Sequence, residues 1–71
     1  MPLRMLMLGK YALVTDVSVE KKLRHRLSTM GIFKGSKIKV INKTSCGMIV
    51  ESYNTKLAVS NEIVEFISVT N

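Results

Sequence analysis

The sequence predicts a small all-β domain, a closed or nearly closed barrel of about five short strands with one helix after the first strand. Two observations support this fold class: short runs rich in β-branched and aromatic residues, and turn residues between them. A short sheet with free edges is prone to aggregate, and closure into a barrel removes most of that edge. Because the chain has 71 residues, we expect a single domain over residues 1–71.

The first strand and the helix after it have the clearest patterns. Residues 11–17 are rich in β-branched and aromatic side chains, which is typical of a strand. Leu23, Leu27 and Met30 follow at i, i+4 and i+7, which predicts a helix over residues 20–30 with these three on one face. Gly31 comes just after, where such a helix ends.

The rest of the chain predicts four further strands and one helical turn. In residues 36–43, Ile38 and Val40 alternate with lysines, as expected for a strand with one buried face. Asn54 can take the positive φ of a hairpin turn, and Asn61 is predicted to cap a helical turn just before the last strand. The other three strands are predicted over residues 48–53, 56–60 and 66–69.

The composition excludes a disordered chain and a disulfide-stabilised one. Hydrophobic residues make up 46% and charged residues 23%, and Cys46 is the single cysteine. No run without charged residues exceeds seven, whereas a membrane helix needs roughly 20 apolar residues. The apolar part of the N-terminus, residues 5–8, is shorter than the roughly 7–15 residues of a signal peptide. We therefore expect a soluble, cytoplasmic protein.

The methionine-rich N-terminal segment has two interpretations. Met1, Met5 and Met7 can pack against the domain or be disordered, whereas Met30 and Met48 are expected in the core. Alternatively, residues 5–8 form an adaptable apolar contact surface. That second interpretation leaves self-association open.

No pattern of residues indicates catalysis, so we do not expect an enzyme. There is no nucleophile, base and orienting group at a recognisable spacing, and the Gly31–Gly35 segment lacks the Lys-Ser/Thr of a phosphate loop. His25 and Cys46 are the weak candidates for metal ligands besides the methionines. His25 faces away from the apolar side of the helix between two arginines, which repel a cation, and Cys46 has no second cysteine. We therefore expect no dedicated metal site and no cofactor.

The positive charge is the most informative feature, because it is concentrated in one third of the chain. The net charge is +6, and no Asp or Glu lies between residues 21 and 43. Such a field can steer an acidic protein, an anionic membrane face or nucleic acid. Nucleic acid is not expected as a partner, because Phe33 is the sole aromatic residue within this run. The run holds eight of the eleven basic residues, and the first seven are candidate partner-binding residues: Lys21, Lys22, Arg24, Arg26, Lys34, Lys37, Lys39 and Lys43.

The end of the helix carries a motif that resembles a known family. The pattern Arg26-Leu27-x-x-Met30-Gly31-x-x-x-Gly35, followed by Lys37-Ile-Lys-Val40, Leu57-Ala-Val59 and Ile67-x-Val69, is similar to the ferrous-iron transport protein A (FeoA) family over nearly the whole chain. The resemblance implies an SH3-like barrel in which Leu27 and Met30 fill one end and Gly31 ends the helix. Three positions depart from the family pattern: Gly47 stands in place of a proline, Asn54 in place of a glycine, and Val59-Ser60 in place of a Leu-Arg pair.

The resemblance also implies a function. Members of this kind are small non-enzymatic accessory proteins of ferrous-iron uptake that dock on the cytosolic part of a FeoB-type GTP-binding membrane permease. The protein would then lie beside the inner face of the membrane through this partner, without inserting into it. Two alternatives stay open: a basic barrel that binds nucleic acid, and a direct Fe(II) sensor or chaperone that uses His25 or Cys46.

Overall fold

The structure is a computed structural model, which describes residues 1–70. A short 3₁₀ turn over Leu3–Met5 precedes the first strand. The order of the later elements confirms the predicted one, with boundaries within one or two residues. These elements are β1 (Tyr11–Val17), α1 (Lys21–Thr29), β2 (Lys37–Lys43), β3 (Gly47–Ser52), β4 (Thr55–Ser60), α2 (Asn61–Val64) and β5 (Ile67–Thr70).

The strands form one antiparallel sheet in the order β4-β3-β2-β1-β5. The register shifts between Val14 and Asp16 in β1 and between Val40 and Asn42 in β2, and such bulges bend a sheet upon itself. The helical turn α2 joins the two edge strands, β4 and β5. Pro2 bridges to Ser68 and so covers part of the outer edge of β5. The result is the small SH3-like barrel that the sequence predicted.

Alternating apolar residues of the strands fill the interior. Ile38 and Val40 of β2 are fully buried, and Met48 and Val50 of β3 are excluded from solvent as well. The hydrophobic effect therefore selects the same strand face that the alternation predicted. In the N-terminal segment, Leu6 is buried together with Leu3, whereas the methionines on either side of Leu6 are exposed.

The end of α1 corrects one expectation. Met30 is 38% exposed and does not fill the barrel end with Leu27. The helix ends at Thr29, and Gly31 takes a φ of +96°, which turns the chain back. Its amide donates to the Ser28 carbonyl, and the Ile32 amide donates to the Leu27 carbonyl. This is a Schellman motif, in which the residue after the glycine packs on the last helical turn, so the fully buried Ile32 takes the place expected of Met30.

The two asparagine predictions have opposite outcomes. Asn54 has a φ of +64° and its neighbour Tyr53 a φ of +51°, which matches the two-residue turn typical of a tight hairpin. Asn61, however, does not cap α2. It is the first residue of that turn, and its side-chain amide donates to the Ser45 carbonyl at 2.9 Å instead. The cap position belongs to Ser60, which makes no side-chain capping bond.

Candidate partner-binding surface

A basic groove of about 510 Å³ runs along one face of α1. Lys21, Arg24, His25 and Ser28 line it at the spacing i, i+3, i+4 and i+7, so one side of the helix supplies them all. Lys34 lines the groove from the loop that follows the helix. The helix and the loop after it thus place three permanent cations, Lys21, Arg24 and Lys34, around one groove.

One carboxylate also lies in the basic groove. Asp16, at the end of β1, accepts a hydrogen bond from the hydroxyl of Ser18. The cations Lys21, Arg24 and Lys34 outnumber it. A concave surface with an excess of one sign concentrates the field and attracts anionic groups.

The charge at the start of α1 does not stabilise the helix itself. The first turn contains Lys21 and Lys22 and no acidic residue, and Glu20 at the cap position makes no side-chain capping bond. Cations next to a helix N-terminus oppose the helix dipole, typically by about 0.3–1 kcal/mol each. Helix stability therefore does not explain why lysines occupy this turn, which is consistent with a role in contacting another molecule.

An aromatic groove of about 480 Å³ continues the basic one on the far side of Phe33. Phe33 and Ser28 line both grooves, whereas Met30, Tyr53 and Leu57 line only the aromatic one. The rings of Phe33 and Tyr53 are stacked, with centroids 6.2 Å apart and planes 16° from parallel. Tyr53 is 70% exposed. The two grooves together give a continuous surface with cations at one end and aromatic area at the other.

The two turns that present these aromatic residues are held by hydrogen bonds between serine hydroxyls and the backbone. The buried hydroxyl of Ser36 accepts a hydrogen bond from the Phe33 amide at 3.1 Å and donates to the Phe33 carbonyl at 2.8 Å. On the other side, the Ser52 hydroxyl donates to the Gly31 carbonyl at 2.7 Å, next to Tyr53. These bonds fix the two turns that present the rings, so little ordering is required when a partner binds.

The structure separates the candidate basic residues into the lining of the basic groove, a group on β2, and two residues that belong to neither. Lys21, Arg24 and Lys34 line the basic groove, whereas Lys22 and Arg26 lie elsewhere on α1 and line neither groove. On β2, the ammonium groups of Lys37 and Lys39 lie 4.8 Å and 5.3 Å from the ring centroid of Tyr11. Lys43 donates to the Arg4 carbonyl at 3.0 Å. The strand lysines are thus grouped with the N-terminal segment and not with the helix.

The two weak metal candidates are far from forming one site. His25 is exposed and lines the basic groove, whereas Cys46 is exposed in the loop between β2 and β3. Over residues 1–70, the His, Cys, Asp and Glu side chains form no group of three that could hold a metal ion. None of the described helices is long and apolar enough to cross a membrane.

Tyr53 is the residue of this surface that the sequence analysis did not single out. It lies 20 positions from Phe33 in the chain, and the pairing of β3 with β4 places it beside the end of α1. The signal available in the sequence was a large aromatic residue directly before Asn54 in a hairpin turn, where a side chain is exposed. Met30 likewise belongs to this surface and not to the core.

Comparison with known proteins places the chain in a family. The family model described as the FeoA domain matches residues 1–71. The solution structure of the FeoA protein from Chlorobium tepidum is 32% identical with a TM-score of 0.88, over 99% of this chain and 69% of that chain. No curated protein matches the chain.

Two further solved structures share the fold at 21% identity and a TM-score of 0.87. One is an iron uptake regulatory protein (FeoA), and the match covers 99% of this chain and 95% of that chain. The other is iron(II) transport protein A from Clostridium thermocellum, and the match covers 99% of this chain and 44% of that chain. At this identity the likeness establishes the fold alone. With the family model matching from end to end and a 32% identical FeoA protein of the same fold, the chain belongs to the FeoA family of ferrous-iron transport accessory proteins.

Proposed function

We propose that this protein docks on the cytosolic part of a FeoB-type GTP-binding iron permease and acts there without catalysis. The observation that supports this function is the continuity of the basic and aromatic grooves through Phe33. Binding energy at protein interfaces is concentrated in aromatic and arginine side chains, and charges around them speed and orient encounter. The surface fits a partner segment that carries carboxylates followed by an apolar side chain.

The test is titration of the full chain with the cytosolic domain of the permease, without lipid. We expect a dissociation constant of the order of 10 μM, weakening at least about fivefold as ionic strength rises from about 0.05 to 0.5 M. Lys34→Glu and Tyr53→Asn should each weaken binding by about tenfold. Asparagine tolerates the positive φ of position 53, so this variant keeps the turn.

Lys56→Glu is the matched control for Lys34→Glu. Lys56 is exposed on β4 and lines neither groove, so the same change in net charge should leave the affinity within about twofold. The proposal fails if the domain does not bind at low salt, or if Lys56→Glu and Lys34→Glu have equal effects.

The stacked rings of Phe33 and Tyr53 next to cations favour one second candidate, binding of single-stranded nucleic acid. Bases stack on exposed aromatic rings, and phosphates bind nearby lysines and arginines. This function predicts a steep linear loss of log affinity with log salt concentration on an oligonucleotide. A flat dependence, or an unaltered affinity in Tyr53→Asn, excludes it.

A further inference from the structure

A second surface, formed by the N-terminal segment and the start of β1, is apolar and exposed. Five large apolar residues between positions 5 and 13 are 46–68% exposed. Single exposed apolar residues are ordinary, but a dense group of them marks a contact surface. We call this group the N-terminal patch: Met5, Met7, Leu8, Tyr11 and Leu13. Met5, Met7 and Tyr11 line one cavity, Leu13 lies on the same exposed face of β1 as Tyr11, and Leu8 follows Met7 in the chain.

The N-terminal patch is held in place by its backbone. The Leu6 amide donates to the Leu3 carbonyl at 3.0 Å, and the side chains of both leucines are buried. Beyond the patch methionines, the Gly9 amide donates to the Val40 carbonyl of β2 at 2.8 Å. The chain is therefore fixed to the barrel on both sides of Met7, and the exposure of the patch is a property of the fold.

Cations surround the N-terminal patch. Lys10 lines a cavity of about 360 Å³ together with Met5, Met7 and Tyr11. Further cations are placed by direct contacts: Lys37 and Lys39 over the ring of Tyr11, and Lys43 at the Arg4 carbonyl.

Carboxylates are scarce around the same surface. The first 15 residues contain no Asp or Glu. Glu51, which is paired with Lys39 across β2 and β3, is the carboxylate that shares a cavity with Tyr11 and Lys37. One carboxylate against four lysines, Lys10, Lys37, Lys39 and Lys43, leaves the surroundings of the patch positive.

We propose that the N-terminal patch contacts the surface of an anionic bilayer. Methionine and leucine side chains would enter the boundary between headgroups and acyl chains, and the long basic side chains would reach lipid phosphates around them. Neither force alone holds a protein on a membrane, whereas apolar insertion and several cations together do so. The positive charge around the N-terminal patch favours an anionic lipid surface as its partner. The phosphates of such a surface lie on all sides of the inserted apolar side chains, where the surrounding lysines can bind them.

The membrane contact is independent of the proposed docking on a permease. The N-terminal patch and its cations share no residue with the two grooves, although the surfaces adjoin where Tyr11 and Lys37 line one cavity with Tyr53. A protein held in this way would search for its membrane partner in two dimensions. Vesicles of pure lipid test the patch without any permease, so failure here leaves the docking test unaffected, and the reverse also holds.

The first experiment is co-sedimentation of the full chain with vesicles of equal parts phosphatidylglycerol and phosphatidylcholine. We expect binding at least about tenfold stronger than to pure phosphatidylcholine, since each nearby Lys or Arg adds about fivefold at an anionic surface. Met7→Ser should reduce it by about fivefold or more, because it removes an inserting side chain. Met30→Ser is the matched control at an exposed methionine of the aromatic groove, and it should leave vesicle binding unchanged.

The absence of tryptophan from the sequence allows a direct measurement of insertion. A single Leu8→Trp variant should shift its fluorescence emission to the blue on addition of the anionic vesicles, whereas Phe66→Trp, at an exposed position outside the patch, should not shift. Equal binding to the two kinds of vesicle overturns the proposal. A second outcome also overturns it: binding is lost at high salt, Met7→Ser has no effect, and the emission of Leu8→Trp does not shift. That result would mean electrostatic adsorption without insertion of apolar side chains.

Discussion

The grooves beside α1 and the N-terminal patch both combine cations with apolar area, but they are built in opposite ways. In the grooves, turns with special backbone geometry present Phe33 and Tyr53, and hydrogen bonds from Ser36 and Ser52 hold those turns. In the N-terminal patch, flexible methionines extend from a segment anchored by the buried Leu3 and Leu6 and by the bond from the Gly9 amide to Val40. The first construction suits a partner of defined shape, and the second suits a fluid one.

The basic residues that follow one another in the sequence between positions 21 and 43 lie on different surfaces of the folded protein. Lys34 and Lys37 are three positions apart, yet they line different surfaces. Between them, the turn closed by Ser36 reverses the chain, and the Gly35 amide donates to the Val14 carbonyl of β1. Charge density along a sequence therefore does not measure charge density on a surface.

Gly47→Ala should have the largest effect, because it disrupts the sheet that carries both surfaces. A Cβ at Gly47 would collide with the Val59 carbonyl oxygen, which is backbone of the paired strand and cannot rotate away. We expect a loss of about 3 kcal/mol or more in the free energy of unfolding, measured by urea denaturation. Since a domain of this size has a small core, the variant should be largely unfolded at 37 °C. A loss below about 1 kcal/mol would contradict the close approach of β3 and β4.

Gly31→Ala is expected to damage the grooves more than the N-terminal patch. Gly31 and Gly35 both have a φ of +96°, so alanine carries the same backbone cost of about 1–2 kcal/mol at either position. At Gly31, however, a Cβ would lie 2.8 Å from the Ser52 hydroxyl oxygen and 3.2 Å from Tyr53 Cδ2, whereas at Gly35 it meets nothing within 4 Å.

The difference between the two alanine variants isolates this steric contact. Gly31→Ala should be less stable than Gly35→Ala by about 1–2 kcal/mol in urea denaturation. It should also shift the NMR signals of Tyr53 and leave those of Met7 in place. Equal stabilities would mean that Ser52 and Tyr53 yield freely, and the hairpin turn would then not be rigid.

The fold was predictable from the sequence because its signals are local. Alternation defined β2, the β-branched run defined β1, and Asn54 marked the hairpin. The error at Met30 has a physical cause: helical spacing was extended one residue past the point where the chain leaves the helix. The glycine at position 31 was recognised as a stop, but its Schellman geometry, which buries Ile32 instead, depends on hydrogen bonds that spacing does not describe.

The candidate site was predictable only in its charge. Lys21, Arg24 and Lys34 could be named because they belong to an unbroken basic run. Tyr53 could not, because its position beside Phe33 depends on the pairing of β3 with β4 and on the route of the chain after α1. The assignment of Lys37 and Lys39 to the N-terminal patch required the pairing of β1 with β2, which places Tyr11 opposite Lys39. Contacts between residues distant in sequence therefore determine which charges act together.

Ser36→Ala should have a smaller effect on stability than Gly47→Ala or Gly31→Ala and should separate the two surfaces most cleanly. It removes two hydrogen bonds to the backbone of Phe33 at a buried position, which costs about 1–2 kcal/mol of stability. With the turn loosened, Phe33 must be ordered on binding, so affinity for the cytosolic domain of the permease should decrease by about threefold to tenfold. Binding to anionic vesicles should not change, because the contacts that hold Met7 and Tyr11 do not involve Ser36. Equal losses on both targets would show that the turn supports a single extended surface, and the division between the grooves and the N-terminal patch would then be wrong.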